Sequence, residues 1–255
     1  MTNAEILRTA AEQSAVDCGC RAEDFFSGRN TVVRSRPHPG ARKYLELPFL
    51  LDLVSYGGGI VASASPEFEA LAGEFIAKFP PEHCFETPNL HYLMDRLRPL
   101  DADACFMAEY WLPDVTRLRP LPCPYELREL GPEDFSSLYL PEWSNALCEK
   151  RAHLDILALG AYDDGRLIGL AGCSIDCDTM WQIGIDVLPE YRRQGVAAAL
   201  VSGLATRILD RGKIPFYCCA WSNVASARCA IKSGFRPAWV ELTVKPRAFI
   251  DDMNK

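Results

Sequence analysis

The sequence predicts an α+β protein built on a mixed β-sheet, and three observations carry that prediction. Apolar residues recur with a helical period in some stretches and alternate with period two in others. From Tyr125 onward the segments follow the order β-α-α-β-β-β-α-β-α-β, joined by tight turns in some places and by helices in others. One connection, Val187-Leu-Pro-Glu-Tyr-Arg192-Arg-Gln-Gly195-Val-Ala197, leads from an alternating strand into an apolar helix through a basic turn. A chain of 255 residues with 49% apolar and 24% charged residues can bury one large core or two small ones.

The first half reads as a smaller α+β domain. Ile6, Leu7, Ala10, Ala11 and Ala15 sit at near-helical spacing over Ala4 to Ala15. A loop with Gly28, Pro37, Pro39 and Gly40 follows, then two strands between Tyr44 and Ser63 joined at Gly57-Gly58-Gly59. That triplet is a hairpin turn and not a phosphate loop, because no Gly-Lys-Ser/Thr and no helix start follows it. Phe68, Leu71, Ala72, Phe75 and Phe79 mark a helix stopped by Pro80-Pro81. A helical piece over Asn89 to Leu97 leads to an apolar strand, Cys105 to Trp111. Phe25, Phe26, Tyr44, Phe49, Phe68, Phe75 and Phe79 supply this half with its own core, and lone His83 and His91 receive no catalytic role. Pro113, Pro120, Pro122 and Pro124 place the domain boundary near Leu121, giving domains 1–120 and 121–255.

In the second half Tyr125 to Leu130 is a strand, Pro132 opens a helix and Pro141 to Ala152 is a further helical segment. Asp163-Asp164-Gly165 joins two strands, Ile156–Tyr162 and Arg166–Ile175, as a hairpin. Between Met180 and Val187, Trp181, Ile183, Ile185 and Val187 share one face while Gln182, Gly184 and Asp186 share the other. The helix from about Gly195 to Arg211 buries Ala197, Leu200, Val201, Leu204 and Ile208, and Gly212 ends it. The apolar run Ile214–Trp221 is a strand covered on both faces. Ser222-Asn223 caps a short helix ending at Gly234-Phe235, and a last strand runs from about Trp239 to Val244.

Composition narrows the function. A formal charge of −7 argues against nucleic-acid binding by bulk electrostatics. The start of the chain lacks the regions of a signal peptide, and no apolar run is long enough to span a membrane. The eleven cysteines then read as free thiols of a reduced, cytoplasmic protein. Cys18/Cys20, Cys173/Cys177 and Cys218/Cys219 do not have zinc-site spacing and the four histidines are scattered, so no metal is expected.

The basic turn carries the chemistry. A helix start presents N–H groups without intrahelical partners and partial positive charge, which together favour an anion such as a pyrophosphate. Gly195 admits close approach and Ala197 is small enough to keep it open.

Val187-x-Pro189-x-x-Arg192-x-x-Gly195-x-Ala197, followed by Asn223 and Ser-Gly234-Phe235, resembles the GNAT N-acetyltransferase superfamily over about Tyr125 to Thr243. The whole chain, with Trp221-Ser-Asn223, Ser226 and Ala230, also resembles a two-domain bacterial branch of it. The resemblance implies a GNAT-like acyl-CoA N-acyltransferase fold and acetyl-CoA as co-substrate between two splayed strands, Met180–Val187 and Ile214–Trp221. The backbone of Ile185 and Val187 would pair with the pantetheine arm. An N–H near Ile185 would bind the thioester carbonyl, an effect worth about 3 kcal/mol. N–H groups of Arg193, Gln194, Gly195, Val196, Ala197 and Ala198 would cradle the pyrophosphate, with the Arg192 and Arg193 side chains on phosphates and Asn223 on the pantetheine arm.

Two departures stand out. The tyrosine that many relatives place seven residues after the asparagine is Ala230 here, and no acidic residue stands at Trp181 or Gln182. Asp186 and Tyr217 are the candidates for base and acid, with Asp176 and Glu142 also weighed; the structural reading of each is a strand, core or loop residue. The implied reaction is direct transfer to a primary amine, of a small molecule or a peptide, approaching from the side of Pro141–His153 and the N-terminal domain. A ping-pong route through Cys173, Cys218 or Cys219 has no base in sight. The alternative is an acyl-CoA-binding or sensing module without efficient turnover. Residues 1–120 would serve as substrate lid or as the contact of a homodimer.

Overall fold

The computed structural model describes residues 1–255. Its α+β chain forms two compact units, Met1–Leu7 with Trp111–Pro237, and Arg8–Tyr110 with Ala238–Lys255. The division therefore falls at Tyr110–Trp111, ahead of the proline segment, and the last strand returns to the unit that holds most of the first half.

That unit contains most of α1 (Asn3–Cys18), the strands β1 (Thr31–Arg34), β2 (Leu51–Ser55) and β3 (Val61–Ala64), and the helices α2 (Glu69–Lys78) and α3 (Thr87–Leu97). It also holds most of β4 (Ala102–Pro113) and β10 (Phe235–Pro246), and α6 (Arg247–Met253). Its strands lie in the order β1-β3-β2-β10-β4, with β1 and β3 parallel and β2 antiparallel to β3 and β10. Leu51, Leu53, Ala62, Ala64, Leu242 and Val244 pack against Phe68, Ala72, Phe75 and Ile76 and against Leu90, Leu93 and Leu97 of α3. Phe75 of the predicted α2 face is buried and Ile76 joins it, whereas Phe26, expected in the core, is exposed. Neither β1 nor α6 stands out in the sequence, because each is short and neither has a long apolar period.

A buried ionic cluster also holds this unit. Arg42, 2% exposed, sits 2.6 Å from Asp17 and 3.5 Å from Glu241, donates to Ser14 Oγ and Tyr44 Oη, and lies over the rings of Tyr110 and Trp239. Thr243 Oγ1 donates to the buried Asp52 at 2.7 Å. A buried charge such as that of Arg42 persists only when paired with carboxylates in this way.

The other unit carries β5 (Glu126–Leu130), β6 (Asp155–Asp163), β7 (Arg166–Ser174), β8 (Met180–Val187) and β9 (Ile214–Ala220), ordered β9-β8-β7-β6-β5. Pairing is antiparallel from β5 to β8 and parallel between β8 and β9. Asp164 and Gly165 take φ of 46° and 82°, the twist a two-residue hairpin needs. The helices are α4 (Val196–Asp210) and α5 (Val224–Lys232). Val196, Leu200, Val201, Leu204 and Ile208 of α4 join Leu159, Ile168, Ala171, Ile183 and Tyr217 in one core.

The helix expected after Pro132 is corrected to a short 3-10 turn, Pro132–Ser137, and the helical segment expected over Pro141–Ala152 is irregular, with 3-10 turns at Pro141–Trp143 and Glu149–Leu154. The backbone donors that would build a second helix go to carboxylates instead. Asn145 N and Ala146 N donate to Asp186, and Cys148 N to Asp155.

Candidate active site

The turn after β8 begins with a 3-10 turn at Pro189–Tyr191 and ends at Gly195, which caps α4 with no side-chain hydrogen bond. Arg193 and Gly195 both have left-handed backbone, φ 66° and 88°. For a non-glycine residue this conformation is strained, and it turns successive N–H groups toward one concavity. None of the N–H groups from Arg193 to Ala198 has an acceptor within the chain. They are thus free to accept an anion. A Cβ on Gly195 would meet nothing closer than Lys232 Nζ at 3.9 Å, so the approach is open and a further cation stands beside it. Sequence reasoning missed Lys232, because α5 comes near the turn only in the fold. Arg192 Nε donates to the Val187 carbonyl at 3.0 Å, Gln194 Nε2 donates to Glu190 O, and Tyr125 Oη donates to Gln194 Oε1.

The strands beside this turn part. β8 and β9 are in register from Met180↔Ile214 to Ile183↔Tyr217, and no pair follows, although β8 continues through Gly184, Ile185, Asp186 and Val187. The open gap lies at their C-terminal ends, where the turn also lies. β7 still pairs Ala171 with Ile185 and Gly169 with Val187, so the far edge of β8 is fixed. Asn223 caps α5 through Oδ1, which accepts from Ser226 N, leaving its Nδ2 without a partner in the chain. Its helix-cap and ligand readings are compatible.

The candidate acid–base groups fare differently. Asp186 accepts from Asn145 N at 2.8 Å, Asn145 Nδ2 at 2.7 Å and Ala146 N at 2.9 Å. It anchors the segment between Pro141 and Cys148 to the sheet. That segment crosses Gly172 and Gly184, which face each other in register: a Cβ on Gly184 would stand 1.7 Å from Asn145 O, and one on Gly172 2.1 Å from Ala146 O. Two glycines inside strand patterns are the sequence trace of this close approach, unread at the level of pattern alone. Because Gly169 meets Val196 and Leu200 on the alternate face, the segment covers the side of the sheet opposite α4.

Tyr217 is buried at the last paired rung, and its hydroxyl lies 2.5 Å from Ser226 Oγ. Ala230, one helical turn after Ser226, is fully buried. Burial pushes the Tyr217 phenol well up from its ordinary value, with Cys229 adding to the effect, so the hydroxyl keeps its proton. Asp176 is buried beside Ser174 Oγ (3.1 Å) and Arg151 (3.7 Å), while Glu142 is exposed on the 3-10 turn. Cys173 and Cys219 are buried, and burial raises the Cys173 thiol far above the usual range. Cys218, half-buried, accepts from Gln182 Nε2 at 3.0 Å. No three His, Cys, Asp or Glu side chains converge as a metal site would need, and no helix is long and apolar enough to cross a membrane.

The acetyltransferase (GNAT) family model matches residues 124–235, the stretch that contains the turn, the parted strands and the Asn223 cap. This segment belongs to the GNAT family. Members of that family are acetyltransferases, whose acyl donor is an acyl-CoA. The free N–H groups and the open strand gap fit such a donor. No curated protein matches the chain significantly. Similar solved structures include a chain assigned to the GNAT acetyltransferases from Novosphingobium aromaticivorans, 22% identical with a TM-score of 0.43 over 56% of this chain and 66% of that one. The chain thus spans just under two thirds of that relative. A GNAT-family acetyltransferase from Colwellia psychrerythraea is 18% identical, with a TM-score of 0.45 over 72% and 76%. An aminoglycoside N-acetyltransferase solved with CoA is 22% identical, with a TM-score of 0.36 over 48% and 93%.

Proposed function

We propose that the protein is an acetyl-CoA-dependent N-acetyltransferase that acts on a primary amine by direct attack in a ternary complex. The observation that supports this most is the juxtaposition of two features. β8 and β9 part after Ile183 and Tyr217, and the adjoining turn offers a run of unpartnered N–H groups at Arg193–Ala198. Those groups hold the pyrophosphate, aided by the Arg192 and Arg193 guanidiniums. The exposed side of β8 at Ile185 and Val187 takes the pantetheine arm as an added strand would, and Asn223 Nδ2 donates to it. The Ile185 N–H polarises the thioester carbonyl. Acetyl-CoA supplies the activated acyl group, and holding the amine against it supplies most of the acceleration. Asp186 acts by positioning the Asn145–Ala146 segment, which walls the acceptor side of β8. Residues 1–120 serve as substrate lid or dimer contact.

Titration with acetyl-CoA by calorimetry is expected to give one site per chain, weakened at least tenfold in Gly195→Asp, which puts a carboxylate among the phosphate donors. Absence of binding by a folded protein ends the reading. The engagement of Asp186 by three hydrogen bonds and the burial of Ala230 favour a second reading, an acyl-CoA sensor. Tight acetyl-CoA binding with no thioester loss against a panel of amines would establish the sensor in place of the enzyme.

A further inference from the structure

Beside the last rung shared by β8 and β9 stands a hydroxyl pair that joins Tyr217, the candidate acid, to Ser226, which has no role so far. Tyr217 leaves β9 at that rung, on the core face with Ile183, and meets Ser226 in the first turn of α5 at 2.5 Å. Three features make the pair a directed donor. The Tyr217 side chain is buried, 2% exposed, and Ser226 is its recorded hydrogen-bond partner. Ser226 is partly exposed, so its oxygen is the end of the pair that a ligand can reach. The Ser226 backbone N–H is held by the Asn223 cap at 3.1 Å, which fixes the hydroxyl pair beside the last paired rung of β8 and β9. The ionisable groups around Tyr217 are thiols, Cys229 on α5 and Cys218 and Cys219 on β9, so no carboxylate competes for its proton. A phenol that stays protonated is a permanent donor, and a chain of two hydroxyls polarises its outer O–H.

We propose that Tyr217 donates to Ser226 Oγ and that the Ser226 hydroxyl donates to the CoA sulfur as it leaves. The inference rests on the reading that acyl-CoA occupies the gap between β8 and β9. In the step concerned the amine nitrogen bonds to the acyl carbon, the carbon–sulfur bond breaks, and its electron pair stays on sulfur. The thiolate is stabilised by the Ser226 O–H, both hydroxyls keep their protons, and the proton lost by the amine passes to solvent. A thiol with an ordinary pKa of about 8.5 leaves well once such a bond is in place. Ser226 is thereby a catalytic residue and Tyr217 its positioning residue.

The test needs no acceptor. Dissociation constants of CoA and of desulfo-CoA are measured by calorimetry on the full chain between pH 6.5 and 9.5, for the wild type, Ser226→Ala and Tyr217→Phe. A donor aimed at the thiolate makes the wild-type preference for CoA over desulfo-CoA grow about tenfold across this range, the effect of lowering the bound thiol's pKa by one. The growth is lost in both variants, which retain the Asn223 cap and the aromatic ring and whose folding is checked by thermal melting. Equal and pH-independent binding of the two ligands by the wild type, or growth that survives in both variants, overturns the inference and leaves the cofactor site standing. Failure of either ligand to bind overturns the cofactor site as well.

Discussion

Gly184 shows how one absent methyl group shapes the site. Its Cβ position is occupied by the Asn145 carbonyl, a backbone atom that cannot rotate aside, and Gly172 across the strand is in the same state. Gly184→Ala is expected to lower stability by about 1–3 kcal/mol by overpacking, or to detach the segment from β8. Gly73 of α2 has its nearest neighbour at 3.7 Å. Gly73→Ala should therefore raise stability by up to about 1 kcal/mol through helix propensity. Thermal melting of the two variants reads both signs, and equal melting points would refute the close-packing account. The turn itself was legible at this scale, since Arg192, Gly195 and Ala197 mark the start of α4 through their spacing. The left-handed Arg193 was not, because nothing in an arginine marks a positive φ. Asp186 stands on the strand face that the alternation indicated, and its three donors come from a segment about 40 residues away that no local pattern reveals.

At the scale of elements, hairpins and buried strands were the legible part. Asp164-Gly165, the alternation through β8 and the Asn223-to-Gly234 helix each carry their own local signal. The segment Pro132–Leu154 was misread because long-range carboxylates capture its N–H groups, and periodicity does not report that. The β2–β10 ladder carries a further consequence. Asp52 faces Thr243 in register and is buried, with Glu241 nearby; burial first, and then that carboxylate, raise its pKa well above the usual range. A raised carboxyl stabilises the fold when protonated. This contribution is complete below the unfolded value of about 3.9 and is lost as pH rises through the folded value. Asp52→Asn keeps the acceptor for Thr243 Oγ1 and cannot ionise. It is expected to gain about 1 kcal/mol or more over the wild type at pH 8 and little at pH 4. Urea midpoints at both pH values decide it, and a larger gain at pH 4 would reverse the sign argued here.

At the scale of the molecule, the chain passes between its two units within α1, β4 and β10, not at the proline segment. Pro120, Pro122 and Pro124 lie in an irregular connection inside one unit and do not divide the compact units. A chain cut to residues 121–255 keeps Leu242 and Val244 of β10 and loses their β2 partners Leu53 and Leu51. An exposed apolar strand of this kind self-associates. The fragment is expected to elute as aggregate in size-exclusion chromatography, whereas a sharp monomer peak would show that β10 does not depend on β2. The same return of the chain sets an order of events during synthesis. The β2 strand leaves the ribosome early, yet residues 240–244 that pair with it come almost two hundred residues later. At roughly 5–20 residues per second, β2 waits about nine seconds or more for its neighbour. The unit that holds β2 is completed only once β10 has emerged.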